Sequence, residues 1–331
     1  MRLASFATAL TVAVGLAVTA AQSQQDDDDI IRIGVLHFGT ANWELDVIRH
    51  HQLDEEYGFS LDIVALASNQ ATTVALQAGD VDMIVSDWLW TSRQRASGRD
   101  FTFVPFSSTV GALMVAEESE IDSIEDLKGL TLGVAGSPLD KGWLLLRGLS
   151  AEEHGFDLEQ ENEVIFAAAP LLNELALQGE VDAVLNYWHF SARLETKGFR
   201  KLLDSNEGAM ALGAEGPISA VGYVFSESWA DENEETVLSF FRASQAAKEI
   251  MAASDEEWER LRAMTGAEDD ATLIALRDRF REGIPARPLR DELKDTARIY
   301  DLLAKIGGET LVGPATRMTG GTFWSAMLEG S

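Results

Sequence analysis

Four tryptophans stand in two pairs with the same spacing, and a residue that could bind a small molecule lies beside them. Trp43 and Trp143 are 100 residues apart, and so are Trp88 and Trp188. An indole ring offers a large flat contact surface at a low entropic cost. Asp87 precedes one of these rings, and a carboxylate among aromatic faces favours a cation or a flat heterocycle. The spacing therefore predicts a small-molecule site between two related parts of the chain.

A second group of residues predicts a place for an anion. Ser137, Pro138 and Asp140 have the order typical of a helix start, with Ser at the N-cap and Pro at the first position. Free backbone N–H groups at such a start bind anions, and Lys141 adds a positive charge. A zwitterion or a polar ring would satisfy both groups. The complete set of predicted ligand-binding residues is His37, Thr40, Asn42, Trp43, Ser68, Asn69, Gln70, Asp87, Trp88, Ser137, Asp140, Lys141, Trp143, Asn186, Tyr187 and Trp188.

Most of these residues also have a purely structural interpretation, which the sequence leaves open. A tryptophan at a helix start can pack in the core of its own half. Ser137 and Asp140 can do no more than cap their helix, and Lys141 can point into solvent. His189 follows Trp188 and is a further candidate for ligand contact. The five histidines show no metal-binding spacing, so we expect no metal site.

A repeated segment sets the positions of these residues. Residues 79–98 and 179–198 align without a gap and are identical at six of twenty positions, where random pairing would give about one. Each copy predicts a helix that ends at glycine, a turn, a buried strand, and a polar-aromatic strand end that leads into another helix. Strand ends of this kind are where α/β proteins bind ligands. The repeat therefore predicts two similar α/β halves with a ligand between them.

The rest of the chain predicts how the halves are joined. Two extended segments, 109–116 and 219–225, leave the first and second halves, and their Val-Gly pairs align, which predicts a hinge of two strands. Helices alone follow Trp229, at about 232–253, 255–264, 268–282 and 290–306. This tail contains too few apolar residues for a third core, so we expect it to pack on the first half. The predicted lobes are residues 30–112 with 222–331, and residues 113–221.

The N-terminus and the charge predict export and exclude some partners. Residues 1–21 read as a signal peptide and residues 22–29 as an acidic leader. The sequence has no cysteine, so it carries no lipid-modified N-terminal cysteine and no disulfide. The formal net charge of −29 opposes binding to nucleic acid or to anionic lipid. These features predict a periplasmic monomer that is not inserted in the membrane after the signal is cleaved.

Two motifs resemble segments of periplasmic solute-binding proteins. Residues 124–134 (IEDLKGLTLGV) are similar to their "L-x-D-L-K-G-K-x-hydrophobic-G-V" segment, and residues 75–82 (ALQAGDVD) to their "A-L-x-x-G-x-V-D" segment. The nearest group is similar to the nitrate, sulfonate, taurine and thiamine-pyrimidine binding proteins of ABC importers, over about residues 30–225. The resemblance implies a bilobed fold, one ligand in the cleft, and delivery to a permease with its ATPase. The loop at Ser137 differs from the Ser-Asn-Ala loop of sulfonate binders, which argues against a sulfonate.

Two other functions compete with a transport receptor. One is an enzyme on the same fold, such as a thiamine-pyrimidine synthase, and the other is a receptor that feeds a sensor. Against catalysis, the sequence has no cysteine, no G-x-S-x-G, no H-E-x-x-H and no G-x-x-x-x-G-K motif. We therefore expect a binding protein without a cofactor. The sequence leaves transport and sensing open.

Overall fold

The computed structural model describes residues 29–329. The predicted signal peptide and all of the acidic leader except Asp29 lie outside these residues. Among the helices that the structure describes, none is long and apolar enough to cross a bilayer.

Ten strands in the described residues form two five-stranded sheets. The first sheet has the order β2-β1-β3-β10-β4 and the second the order β7-β6-β8-β5-β9. In each sheet three neighbouring strands are parallel. The next strand, β10 in the first sheet and β5 in the second, arrives from the other sheet and runs antiparallel to both of its neighbours. The strands are β1 Ile30–Leu36, β2 Ser60–Leu66, β3 Met83–Asp87, β4 Phe101–Ser107, β5 Gly111–Ala116, β6 Thr131–Ala135, β7 Glu163–Ala167, β8 Ala183–Tyr187, β9 Phe199–Asp204 and β10 Val221–Ser226.

Helices cover both sheets and make up the C-terminal tail. They are α1 Ala41–His50, α2 Leu53–Tyr57, α3 Asn69–Ala78, α4 Trp88–Ala96, α5 Lys141–Leu149, α6 Leu158–Glu161, α7 Ala169–Gln178, α8 Trp188–Glu195, α9 Ser205–Ala211, α10 Glu227–Glu232, α11 Glu234–Ala253, α12 Asp255–Thr265, α13 Asp270–Glu282, α14 Leu289–Val312 and α15 Ser325–Glu329. The predicted α/β fold with two sheets is confirmed.

The repeated segment folds into equivalent elements in the two sheets. The order α3, β3, α4 in the first copy matches α7, β8, α8 in the second, and each first helix ends at a glycine with a left-handed backbone. The carboxylate of Asp82 accepts the backbone N–H of Arg32 at 2.9 Å, and that of Asp182 accepts the N–H of Thr131 at 2.8 Å. The equal spacing in the two copies of the repeat thus reflects the same local structure, which occurs once beside each sheet.

The chain crosses between the sheets at two places. Residues 108–110 lead from β4 to β5, and residues 212–220 lead back from α9 to β10. Asn206 joins the crossings, because its side-chain amide donates to Ser108 O at 2.8 Å and accepts from Ile218 N at 2.9 Å. β5 begins at Gly111 in the second sheet, so the first crossing ends just before the predicted boundary at residue 112. The division into lobes stays a prediction.

The tail helices begin and end within a few residues of the predicted bounds, and α14 breaks at Gly308, whose backbone is not helical, before a last turn that ends at Val312. α11 packs on α1 and α2 beside the first sheet, as expected. The tail also reaches the second half, because α13 packs against α8 and α14 against both α4 and α5. The tail therefore contacts both halves, whereas the sequence indicated only the first.

Candidate functional site

A cavity of about 530 Å³ lies where the two sheets face each other. Its walls include the carboxyl ends of β3 and β8, the two strands that the repeat made equivalent, together with the crossing at residues 109–111. The volume falls within the usual range for small-molecule pockets. The geometry thus places a ligand-sized space at the strand ends.

The predicted site residues divide into two groups. Nine line the cavity: Thr40, Asn69, Gln70, Asp87, Asp140, Lys141, Asn186, Tyr187 and Trp188. Seven lie elsewhere: His37, Asn42, Trp43, Ser68, Trp88, Ser137 and Trp143.

Three of the four paired tryptophans are packed away from the cavity. Trp143 and Trp88 are almost fully buried, and the indole N–H of each has no hydrogen-bond partner among residues 29–329. The ring of Trp43 contacts that of Trp188 with centroids 5.7 Å apart. Only Trp188 of this set reaches the cavity lining, while most of its surface packs into the core of the first half. The other three rings are therefore core residues, which is the structural interpretation that the sequence left open.

Polar residues outside the cavity shape the loops beside it. Asn42 donates to the carbonyl oxygens of Leu36 and Gly39, at 2.7 and 2.8 Å, and so holds the turn after β1. Ser68 caps α3, and Ser137 accepts the N–H of Leu139 at 3.2 Å. His37 is exposed on its loop.

An ion pair joins the two halves at the cavity. Lys141 Nζ, from the first residue of α5, lies 2.9 Å from Asp87 Oδ2 at the end of β3. The other oxygen of Asp87 accepts the N–H of Trp90 at 2.7 Å and caps α4. Asp140 caps α5 in the same way, accepting the N–H groups of Gly142 and Trp143 at 2.9 and 3.2 Å. Each half therefore presents a capped helix start and a charge to the cavity.

The charged groups influence each other's pKa. Burial lowers the pKa of Lys141, but the charges of Asp87 and Asp140 outweigh this effect, so the pKa is raised and the ammonium keeps its proton. Burial raises the pKa of Asp140, an effect opposed by the charge of Lys141 and by the two amide donors. The pair Asp87–Lys141 is thus an ionic contact between the halves.

Two neighbouring side chains stay neutral. Burial, and after it the charge of Asp140, raises the pKa of Tyr187. Burial, and after it the charge of Arg193, lowers the pKa of His189 to about 4. The Tyr187 hydroxyl lies over Gly136, which has a φ of 91°. A Cβ at position 136 would lie 2.9 Å from the hydroxyl oxygen, so the missing side chain leaves room for the tyrosine. The cavity therefore offers uncharged hydrogen-bonding groups beside its ion pair.

Several lining residues were missing from the predictions, notably Trp90, Arg93 and Phe106, whereas His189, the further candidate, does line the cavity. Trp90 and Arg93 follow Asp87 at three-residue steps, so they share its face of α4, and that helical spacing was the signal available. Phe106 belongs to a strand that the sequence predicts to be buried throughout, so its pattern did not predict a contact with the cavity.

The site suits non-covalent binding. Its lining combines aromatic and aliphatic surface with amides, hydroxyls and balanced charges. No group of three or more His, Cys, Asp or Glu side chains that could hold a metal ion occurs in residues 29–329.

Comparison with known proteins gives the same fold. The NMT1/THI5-like family model matches residues 55–258, in agreement with the resemblance in the sequence motifs. The periplasmic aliphatic sulphonate binding protein SsuA from Escherichia coli superposes with a TM-score of 0.72 and 18% identity, covering 89% of this chain and 92% of that one.

Two further structures give similar superpositions. The alkanesulfonate-binding protein SsuA from Xanthomonas axonopodis pv. citri bound to MOPS has a TM-score of 0.66 and 16% identity, covering 89% and 98% of the two chains. An ABC transporter from Parabacteroides distasonis has a TM-score of 0.67 and 13% identity, again covering 89% and 98%. At these identities the structures show the fold alone. No curated protein matches the chain in sequence.

Proposed function

The chain belongs to the NMT1/THI5-like family, and we propose that it is a periplasmic solute receptor that delivers its ligand to an ABC-type permease and ATPase. The ligand is a small polar organic molecule, either an anion, a zwitterion or a nitrogen heterocycle, held in the cavity between the two halves. The protein is exported by its signal peptide, is not a lipoprotein and acts as a monomer. The periplasmic binding proteins with the same fold support this location.

The observation that carries the proposal is the position of the cavity. Equivalent strands of two repeated halves end at one space, and the halves are joined there by two crossings. A solute in this space touches both halves only when they are close together, so binding shifts the population toward the closed form.

An enzyme is the weaker alternative. Among the described residues, His189 supplies the only imidazole in the cavity lining, and its Nδ1 is buried without a hydrogen-bond partner there. No hydroxyl is therefore activated through that nitrogen, as a nucleophile would need to be.

A thermal-shift screen of small metabolites tests the proposal. Trp90 lines the cavity, so Trp90→Ala should weaken binding of a stabilising solute by about 2 kcal/mol or more, as for a buried aromatic anchor. The matched control is Trp229→Ala, because Trp229 packs on Phe225 outside the cavity. A solute that stabilises wild type, Trp90→Ala and Trp229→Ala equally would show that binding occurs elsewhere.

A further inference from the structure

The charges that line the cavity are balanced. The charged side chains in the lining are two carboxylates, Asp87 and Asp140, and two cations, Arg93 and Lys141. Asp87 and Lys141 already neutralise each other at 2.9 Å. Tyr187 and His189, the other titratable groups in the lining, are uncharged at neutral pH. An ion that enters therefore meets no excess of opposite charge.

Two of the helix starts at this cavity, those of α4 and α5, are already capped by carboxylates, whereas α1 and α8 have Thr40 and Tyr187 at the N-cap, whose side chains make no cap hydrogen bond. Asp87 accepts the N–H of Trp90 in α4, and Asp140 accepts two N–H groups at the start of α5. At the starts of α4 and α5, an incoming sulfonate would have to displace one of these carboxylates and leave it without its amide donors, which is costly. The net charge of −29 also opposes the approach of an anion.

We infer that the ion pair between Asp87 and Lys141 makes this receptor selective for a solute without net charge, either a zwitterion or an uncharged polar molecule. Simple organic anions, including alkanesulfonates, are rejected. The inference rests on the proposed receptor function and specifies the ligand class of the same site. Asp87 and Lys141 are thus the residues that determine specificity by charge.

The experiment uses a pool of solutes sorted by charge. The low-molecular-weight fraction of yeast extract is passed at pH 7 over strong anion and strong cation exchangers, which yields anionic, cationic and net-neutral fractions. Each fraction, and ethanesulfonate as a defined alkanesulfonate that is anionic at this pH, is added to the full mature protein, and the melting temperature is measured. We expect stabilisation by the net-neutral fraction only.

Two variants test whether the ion pair sets this preference. Asp87→Asn keeps an N-cap oxygen for α4 but leaves Lys141 unpaired, so stabilisation should move to the anionic fraction. At least about tenfold more of the net-neutral fraction should then be needed for the same shift. Lys141→Met should move the response toward the cationic fraction. Asp157→Asn is the matched control, because Asp157 also caps a helix and pairs with an arginine at 2.7 Å, away from the cavity.

The outcomes separate the two claims. Stabilisation of the wild type by the anionic fraction or by ethanesulfonate would overturn the charge selectivity and leave the receptor function standing. An unchanged preference in Asp87→Asn would also overturn it. Stabilisation by no fraction at all would count against the receptor function itself, and so against the inference that depends on it.

Discussion

At the scale of single residues, the direction in which a side chain points from the backbone decides whether it reaches the cavity. Asp87 and Trp88 are adjacent, yet Asp87 faces the cavity and Trp88 packs beneath it against the ring of Tyr300, with centroids 6.3 Å apart. In extended backbone, neighbouring side chains point to opposite faces. The polar residue is therefore the better candidate for ligand contact at this strand end.

The neutral imidazole of His189 predicts a dependence of stability on pH. Its pKa of about 4 in the folded protein lies below the ordinary value of 6.5, so between these values the unfolded chain binds more protons than the folded one. The stability linked to the neutral His189 is fully present above pH 6.5 and is lost as the pH falls toward 4. The free energy of unfolding falls by about 3 kcal/mol in total from this group. The free energy of unfolding of His189→Gln, measured by urea denaturation, should therefore fall less than that of the wild type over this range.

The control for this prediction is His37→Gln, which removes an exposed imidazole. Its stability should follow the wild-type pH profile. If His189→Gln and wild type lose stability in parallel between pH 6.5 and 4, the imidazole is not held neutral by burial.

The sequence predicted well which segments reach the cavity, but it predicted less well which side chains of those segments do. Asp87, Asp140, Lys141 and Tyr187 were found because strand ends and helix starts carry recognisable residue types. The position of Trp143 could not be predicted in this way, since an indole at a helix start looks the same whether it faces a ligand or a core. That difference depends on the packing of distant residues, which local patterns do not contain.

At the scale of elements, close packing requires a glycine near the start of each antiparallel strand, Gly111 in β5 and Gly222 in β10. A Cβ on Gly111 would lie 2.3 Å from Asn186 O, and one on Gly222 would lie 2.2 Å from Val104 O. The sequence aligned these glycines, and the structure shows that Gly111 is the first residue of β5 and Gly222 the second of β10, the two strands that arrive from the other sheet.

Gly111→Ala and Gly222→Ala should each destabilise the protein by about 1–3 kcal/mol or more, because backbone atoms must move to accept the methyl group. Gly320→Ala is the control, since a Cβ there meets nothing within 4 Å. Chemical denaturation measures all three. Equal stability of the three variants would show that the strands relax without strain.

A buried ion pair fastens α1 to α11 beside the first sheet. The carboxylate of Glu44 accepts hydrogen bonds from Lys248, from Tyr223 at 2.8 Å and from Ser244 at 2.6 Å. Glu44 is fully buried and Lys248 almost so. The interaction reaches across about 200 positions of the sequence, which is why no local pattern indicated it.

Lys248→Met should lower the free energy of unfolding by about 3–5 kcal/mol, because it leaves a buried carboxylate without its cation. Replacing both partners, as in Glu44→Leu with Lys248→Met, should cost much less than Lys248→Met alone. Urea denaturation of the single and double variants makes the comparison. A double variant as unstable as the sum of two costly single variants would mean that the two charges act independently.

At the scale of the whole molecule, the tail restrains how the halves move. α13 packs against α8, where Arg279 lies 3.0 Å from Glu195, and Arg193 donates to Thr265 O at 2.7 Å. The ion pair Asp87–Lys141 joins the halves at the cavity, and α14 of the tail also packs against α5 of the second half. The rotation that we propose, about residues 108–110 and 212–220, would open the cavity against these contacts.

Small-angle X-ray scattering with and without a stabilising solute from the thermal-shift screen tests the central claim that the two halves close on one small ligand. The account predicts that the radius of gyration falls as the solute is added and reaches a constant value at saturation, because only the closed form brings both walls of the cavity to the solute. A radius of gyration that stays unchanged at saturation would contradict closure around a ligand.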